Sequence, residues 1–163
     1  MDKEDKQFEV LEKMASNEEL LSELYQSFSK KFKTHTEFWQ HLAYEEVDHA
    51  DWIRDLSNKI REGKVSYNED KLFAPAVDFF AEQVRENMQE TDKKDFQLIN
   101  AISISRILEN SLLESKCFDI VETDSLELKD LLNKLRKATE RHLREVEEEW
   151  KKVRELEGIK DLE

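Results

Sequence analysis

Glycine and proline are almost missing from this chain: two glycines, Gly63 and Gly158, and one proline, Pro75, among 163 residues. A β-sandwich or barrel needs many turns, so this scarcity excludes an all-β fold. No phosphate-cradling Gly-rich loop can be written around two isolated glycines. A single cysteine, Cys117, excludes an internal disulfide framework, a CxxC redox pair and any four-cysteine zinc or iron site. Long hydrophobic runs are also missing. The longest stretch without a charge, Phe96–Ser105, is ten residues, too short to span a bilayer. The first ten residues, MDKEDKQFEV, are acidic and lack the apolar stretch of a secretory signal. The expectation is a cytoplasmic protein of a reducing compartment, with no membrane partner. Basic charge is in deficit, 26 Lys and Arg against 39 Asp and Glu, which argues against a nucleic-acid partner held through its phosphates. Hydrophobic residues make up 38%, enough to build a core, so disorder is not expected.

What is present reads as helix throughout. Apolar residues recur three and four apart within long, charged, Gly-poor segments, the mark of amphipathic helices. The first predicted helix runs from about Lys6 to Phe32, with a stripe of Leu11, Met14, Glu18, Leu21, Tyr25, Phe28 and Phe32. After a short link, with Thr34 and Glu37 spaced as a capping box, the second carries Trp39, Leu42, Glu46, His49, Ile53, Leu56 and Ile60, and Gly63 is placed to end it. Residues 63–74 form the one long irregular stretch. Pro75 then opens a shorter helix to about Gln89, at a position where its missing N–H costs nothing. A third long helix is expected from Asp95 to Val121, with Leu98, Ile102, Glu109, Leu113 and Ile120 inward. A fourth is expected from Leu126 to Leu156, after a capping break at Thr123–Ser125, with Leu128, Leu131, Leu135, Thr139, His142, Val146 and Val153 inward. Two helical hairpins joined by a crossover of roughly 30 residues match ferritin-like connectivity, an all-α antiparallel four-helix bundle. The domain is expected over residues 1–157, with 158–163 as a tail.

Five polar residues fall where apolar ones belong. At about 100° per residue, Glu18 lies within the apolar arc of the first long helix, whereas Glu23 lies on its solvent face. Glu46 and His49 lie in the second arc, Glu109 in the third and His142 in the fourth. Several buried carboxylates converging on one core require a cation or protons to compensate them. Glu46-x-x-His49 sets an oxygen and a nitrogen ligand one turn apart, a pairing suited to iron, manganese or zinc rather than calcium. Di-iron carboxylate bundles take one Glu from each of two helices and Glu-x-x-His from each of the other two. This chain offers Glu18, Glu109 and Glu46-x-x-His49, but Thr139-x-x-His142, so a threonine stands where the fourth carboxylate would be.

The same residues resemble the ferritin-like superfamily and, within it, the rubrerythrin-like family. The resemblance covers the four long helices. It rests on Leu11-x-x-Met-Ala-x-x-Glu18 with Tyr25 seven residues on, on FWQHLAYEEVDHADWIRDL in the second helix, on Arg106-Ile-Leu-Glu109, and on Ala138-Thr-Glu-Arg-His142. It implies a carboxylate-bridged di-iron centre, used by rubrerythrins to reduce peroxide and by ferritins to oxidise ferrous iron. By that likeness Glu18 and Glu109 would be terminal or shifting ligands, Glu46 a bridge, His49 and His142 nitrogen ligands, and Tyr25 a close neighbour. Leu112 replaces a further rubrerythrin glutamate, and with no rubredoxin-like CxxC pair an external electron-donor protein would be needed. Four carboxylates balance two divalent ions; the three here leave two such ions with an excess of +1. The expectation is therefore a weakened second metal position, or a single metal (iron, or manganese or zinc), with Glu140 and Glu145 as possible compensation.

Plainer readings stand beside these. Glu109 could form an ion pair with Arg106 or Lys116, and His142 could be a hydrogen-bonded core histidine. His35 and His41 read as solvent residues, Trp39 and Trp52 as packing, and Trp150 as packing at the bundle end or in a dimer contact. Cys117 reads as a small buried hydrophobe. Leu20, Leu24, Ile104 and Ile107 form a second apolar face that would suit a homodimer. The function is either a metalloprotein, an oxidoreductase acting on peroxide or O2 or an iron-handling protein, or a degenerate bundle serving as a structural or interaction module.

Overall fold

The computed structural model describes the backbone of residues 3–62, 66–67, 74–114, 121–122 and 124–158, and the side chains of 8–62, 74–112 and 124–158. The chain is all-α, with α1 Lys3–Lys31, α2 Thr36–Arg61, α3 Ala74–Thr91, α4 Leu98–Glu114 and α5 Leu126–Leu156. Two strands of two residues, β1 Ser66–Tyr67 and β2 Val121–Glu122, pair antiparallel with Ser66 opposite Glu122.

Side-chain partners give the helix directions. Between α1 and α2, Arg54 meets Glu12 and Glu19, and Ser22 Oγ donates to Ala43 O at 2.8 Å. Partner numbers rise on one helix as they fall on the other, so the two run antiparallel. The small residues Ala15, Ser22, Ala43 and Ala50 are buried along this seam and let the two backbones approach. Between α2 and α5, Arg141 meets Glu45 and Lys59 meets Glu127, and His35, just before α2, meets Glu149, again antiparallel. Between α4 and α5, Arg106 lies 3.6 Å from Glu147 and Glu109 lies 3.7 Å from His142, antiparallel once more. α3 runs parallel to α1: Asn17 Nδ2 donates to Val77 O at 2.9 Å, and Lys31 Nζ reaches the carbonyls of Thr91 and Lys93.

Buried apolar side chains form two clusters. One holds Tyr25, Phe28, Trp39, Leu42, Ile102, Val146 and Val153, with Phe28 against Trp39 edge-on and stacked on Phe96. The other holds Leu11, Met14, Ala50, Ile53, Leu56, Leu128 and Leu135. A layer of buried polar residues, Glu18, Glu46, His49, Glu109, Thr139 and His142, belongs to neither.

Several local expectations change. The Thr34–Glu37 capping box does not form. A turn of 3₁₀ helix at Lys33–His35 delays α2 until Thr36, and the residue preceding α2, His35, makes no side-chain cap. Thr34 Oγ1 instead meets His35 Nδ1 at 2.8 Å, and Thr36 Oγ1 donates back to Ser29 O at 3.0 Å. α4 begins at Leu98 and its assigned range ends at Glu114; Val121 is in a strand, as suits its β-branched side chain. The Ser125 cap does form, accepting from the Leu128 N–H, and Gly158, with φ +67°, takes the left-handed conformation just past α5. Phe32, Leu98 and Leu131 are half-buried rather than fully inward. The second apolar face is largely covered: Leu24 is fully buried, and Leu20 and Ile104 pack onto the same cluster. The reason is α3, which lies along α1 and touches α4. Of the four residues, Ile107 alone is strongly exposed, at 68%. Gly63, Lys116, Cys117, Ile120 and the side chain of Leu113 lie outside the described residues. No helix among the described residues is long and apolar enough to cross a membrane.

Candidate metal centre

The α2 stripe builds the site. Trp39, Leu42, Ile53, Leu56 and Ile60 are all buried, which fixes the rotation of the helix and forces Glu46 and His49 inward between them. Glu46 is fully buried and His49 is 2% exposed. Their side chains meet one turn apart, with His49 Nδ1 2.9 Å from Glu46 Oε2. α5 delivers His142 by the same logic, between buried Leu135, Ala138 and Val146. Its Nδ1 lies 2.8 Å from the other Glu46 oxygen, Oε1. The two imidazoles stack at 4.9 Å between centroids. Glu46, His49 and His142 thus offer three ligand atoms within 4.8 Å of one another.

Glu109 of α4 reaches the same layer. It is fully buried, its Oε1 lies 3.7 Å from His142 Nδ1, and it accepts a hydrogen bond from the Tyr25 hydroxyl at 2.7 Å. Arg106 does not pair with it; that guanidinium lies over Trp150, 3.9 Å from the ring centre. Glu18 of α1 is 2% exposed. Burial first, then the charge of Glu46 and a hydrogen bond to it, hold the Glu18 carboxyl well above the usual carboxylate range. All five inward residues are therefore buried, and three of them form the tight triad. Thr139 is buried as well, but its hydroxyl donates to Leu135 O at 3.0 Å and is occupied within its own helix.

The electrostatics are those of too many carboxylates in one dry place. Burial, then the charge of Glu109, push Glu46 upward. Burial pushes His49 down, toward the neutral imidazole that ligates metals. His142 moves the other way. Burial opposes its charge, but hydrogen bonds to Glu109 and Glu46 and their charges outweigh it and push the imidazole up to about 12. An imidazolium there acts as the internal counter-cation. Burial and the charges of Glu109 and Glu46 also raise the Tyr25 phenol well above its ordinary value, so it stays a donor.

Whether a metal fits can be tested on the unpartnered atoms. Buried polar atoms are nearly always hydrogen-bonded, yet among the described residues Glu18 Oε2, His49 Nε2 and Glu109 Oε2 find no partner, and neither do two donors that cannot ligate a metal, Trp39 Nε1 and Arg106 Nε. The three lone pairs come from three helices and belong to three of the five residues singled out by position. A nitrogen and two carboxylate oxygens left bare beside a Glu–His–His triad suit a first-row divalent ion, so the residues fit the group.

Sequence reasoning overlooks Glu45. Its Oε2 is hydrogen-bonded to His142 Nε2, and Arg141 donates to its Oε1 at 2.8 Å. Burial opposes its charge, but the bonds to His142 and Arg141 hold it below the usual carboxylate range. Its helical position, next to Glu46 and off the stripe centre, gives no such signal; only the pairing of α2 with α5 does. Asn17 and Ser22 are likewise buried polar residues that bond backbone carbonyls of other helices.

Compared with family models, with curated proteins and with solved structures, the chain finds no significant match in any of the three.

Proposed function

We propose that this protein is a metal-binding four-helix bundle of the ferritin-like, rubrerythrin-like kind, formed by α1, α2, α4 and α5 with α3 in the crossover. Its buried centre would hold non-haem iron, or manganese or zinc. The observation that carries this reading is the set of three buried ligand atoms, Glu18 Oε2, His49 Nε2 and Glu109 Oε2, that have no hydrogen-bond partner among the described residues, together with the Glu46–His49–His142 triad. A degenerate bundle kept for structure alone would not need to leave buried ligand atoms bare, because a buried acceptor without a partner costs about 1–3 kcal/mol.

Glu46, His49 and His142 would hold the ion, with Glu18 and Glu109 completing its charge. Bound iron would supply one-electron chemistry toward peroxide or O2. The protein's own groups do the rest. Tyr25 holds Glu109 in place and keeps its proton. Glu45 receives the outward N–H of His142 and turns Nδ1 inward, the outer partner a metal-ligating imidazole characteristically has. The two apolar clusters keep bulk water from the polar layer. Three inner carboxylates balance one divalent ion with one charge to spare, and Thr139 adds none, so one tightly held metal per chain is the expected stoichiometry.

The test is an anaerobic titration with Fe(II), followed by metal counting after gel filtration. One ion per chain in wild type, with a smaller fraction retained by H49A and by E46A, is the result this reading requires. Wild-type protein that elutes without metal would favour the purely structural module.

A further inference from the structure

A second group of ligand atoms lies outside the core, on the face where α2 and α5 meet. His41 and Glu45 stand four residues apart on α2, and Glu145 faces them from α5; these three also bring ligand atoms within 4.8 Å of one another. His41 Nε2 is 3.4 Å from Glu145 Oε2 and 3.7 Å from Glu45 Oε2. Two ligand atoms each about 2.1 Å from one tetrahedral ion stand about 3.4 Å apart, close to the two separations from His41. The other oxygen of each carboxylate is turned to Arg141, at 2.8 Å for Glu45 and 3.8 Å for Glu145. The guanidinium therefore lies behind the two carboxylates, with Glu145 Oε2 turned to His41 and Glu45 Oε2 between His41 and His142. The imidazole is about half exposed, so the group is open to solvent.

Glu45 belongs to both groups. The oxygen it directs at His41 is also the one bonded to Nε2 of the fully buried His142. A line of ligating atoms therefore runs from the surface, through His41, Glu145 and Glu45, to His142, Glu46 and His49. Glu18 Oε2, Glu109 Oε2 and His49 Nε2, without hydrogen-bond partners among the described residues, belong to the same buried layer. Among the described residues no other ligand cluster of three exists.

We propose that His41, Glu45 and Glu145 form a second, surface divalent-cation site from which ions pass to the buried centre by way of Glu45 and His142. The surface site stands on its own geometry; its feeding role rests on the buried-centre reading above. A chain of net charge −13 attracts cations generally, and an acidic docking point at the mouth of a site raises local ion concentration and on-rates by about 10–1,000-fold.

The probe is Co(II), counted on the full-length chain by equilibrium dialysis. Its arrival at the core is followed by stopped-flow quenching of tryptophan fluorescence, since Trp52 packs on His49 at 5.4 Å. H41A/E145Q alters only solvent-facing side chains and leaves Glu45 in place. It should lose one weakly held ion per chain and fill the core about tenfold more slowly or worse, with the final buried count unchanged. Equal count and equal rate in H41A/E145Q and wild type would overturn the proposal. E46Q/H49A separates the two sites. Surface binding kept in E46Q/H49A and lost in H41A/E145Q supports the surface site, even if wild type then holds no buried ion and the core reading falls. Loss of every ion in E46Q/H49A with none lost in H41A/E145Q overturns the surface site and keeps the core.

Discussion

Removing the Tyr25 hydroxyl gives a measurable stability loss with a known sign. Tyr25 is fully buried, and its hydroxyl makes the 2.7 Å bond to Glu109 Oε1. The other Glu109 oxygen has no hydrogen-bond partner among the described residues. Y25F leaves the ring, and hence the contacts with Phe28 and Trp39, in place and deletes a single donor. A hydrogen bond to a charged group contributes about 1.5–3 kcal/mol, and a buried acceptor left bare costs its full desolvation. In a domain of this size each kcal/mol moves Tm by about 2–4 °C, so metal-free Y25F should melt roughly 3–12 °C below wild type. Urea titration of both proteins, metal-free at neutral pH, should move the midpoint with the slope unchanged. Saturating divalent cation should then recover part of the loss, because Glu109 gains the electrostatic partner that the phenol no longer provides. A midpoint within about 0.5 kcal/mol of wild type, the usual range for surface changes, would mean that Glu109 does not depend on Tyr25 and that the inner carboxylates are not short of partners.

Two further outcomes follow from the same charges. His142 is raised from 6.5 to about 12, and Glu18 and Glu46 are raised as well. A group raised on folding contributes stability below its unfolded pKa and loses it as pH climbs through its folded one. Metal-free protein should therefore lose stability steadily from about pH 6.5 upward, as urea midpoints between pH 6 and 9 would record. Bound metal needs a neutral imidazole and releases that proton, so cation affinity should rise over the same range; affinity flat with pH would exclude His142 as a ligand. T139E adds a fourth inward carboxylate. It should destabilise the metal-free chain and raise tightly held metal, counted after gel filtration, from one ion per chain toward two; unchanged stoichiometry would mean that Thr139 does not stand at a vacant bridging position.

Periodicity made the core legible because the α2 and α5 stripes are narrow and unambiguous. Glu46, His49 and His142 could be placed inward from position alone, and burial bears out that placement for Glu18 and Glu109 too. Leu24 was harder. It lies off the main stripe, and only the packing of α3 along α1 explains why a second face is buried. Thr34 and Glu37 have the spacing of a cap but not its geometry, since a 3₁₀ turn intervenes and Thr36 bonds backward instead. Glu45 carries no periodic signal at all. Its contact with His142 arises from the antiparallel pairing of α2 with α5, a tertiary fact that one-dimensional spacing does not contain.

X-ray absorption on the Fe(II)-loaded chain bears on all of this at once. Oxygen and nitrogen neighbours with the scattering pattern of imidazole should surround the ion, and that pattern should weaken in H49A and again in H49A/H142A. An ion ringed by oxygen alone, with the same spectrum in all three proteins, would place the metal elsewhere and leave the buried carboxylates without the cation argued for here.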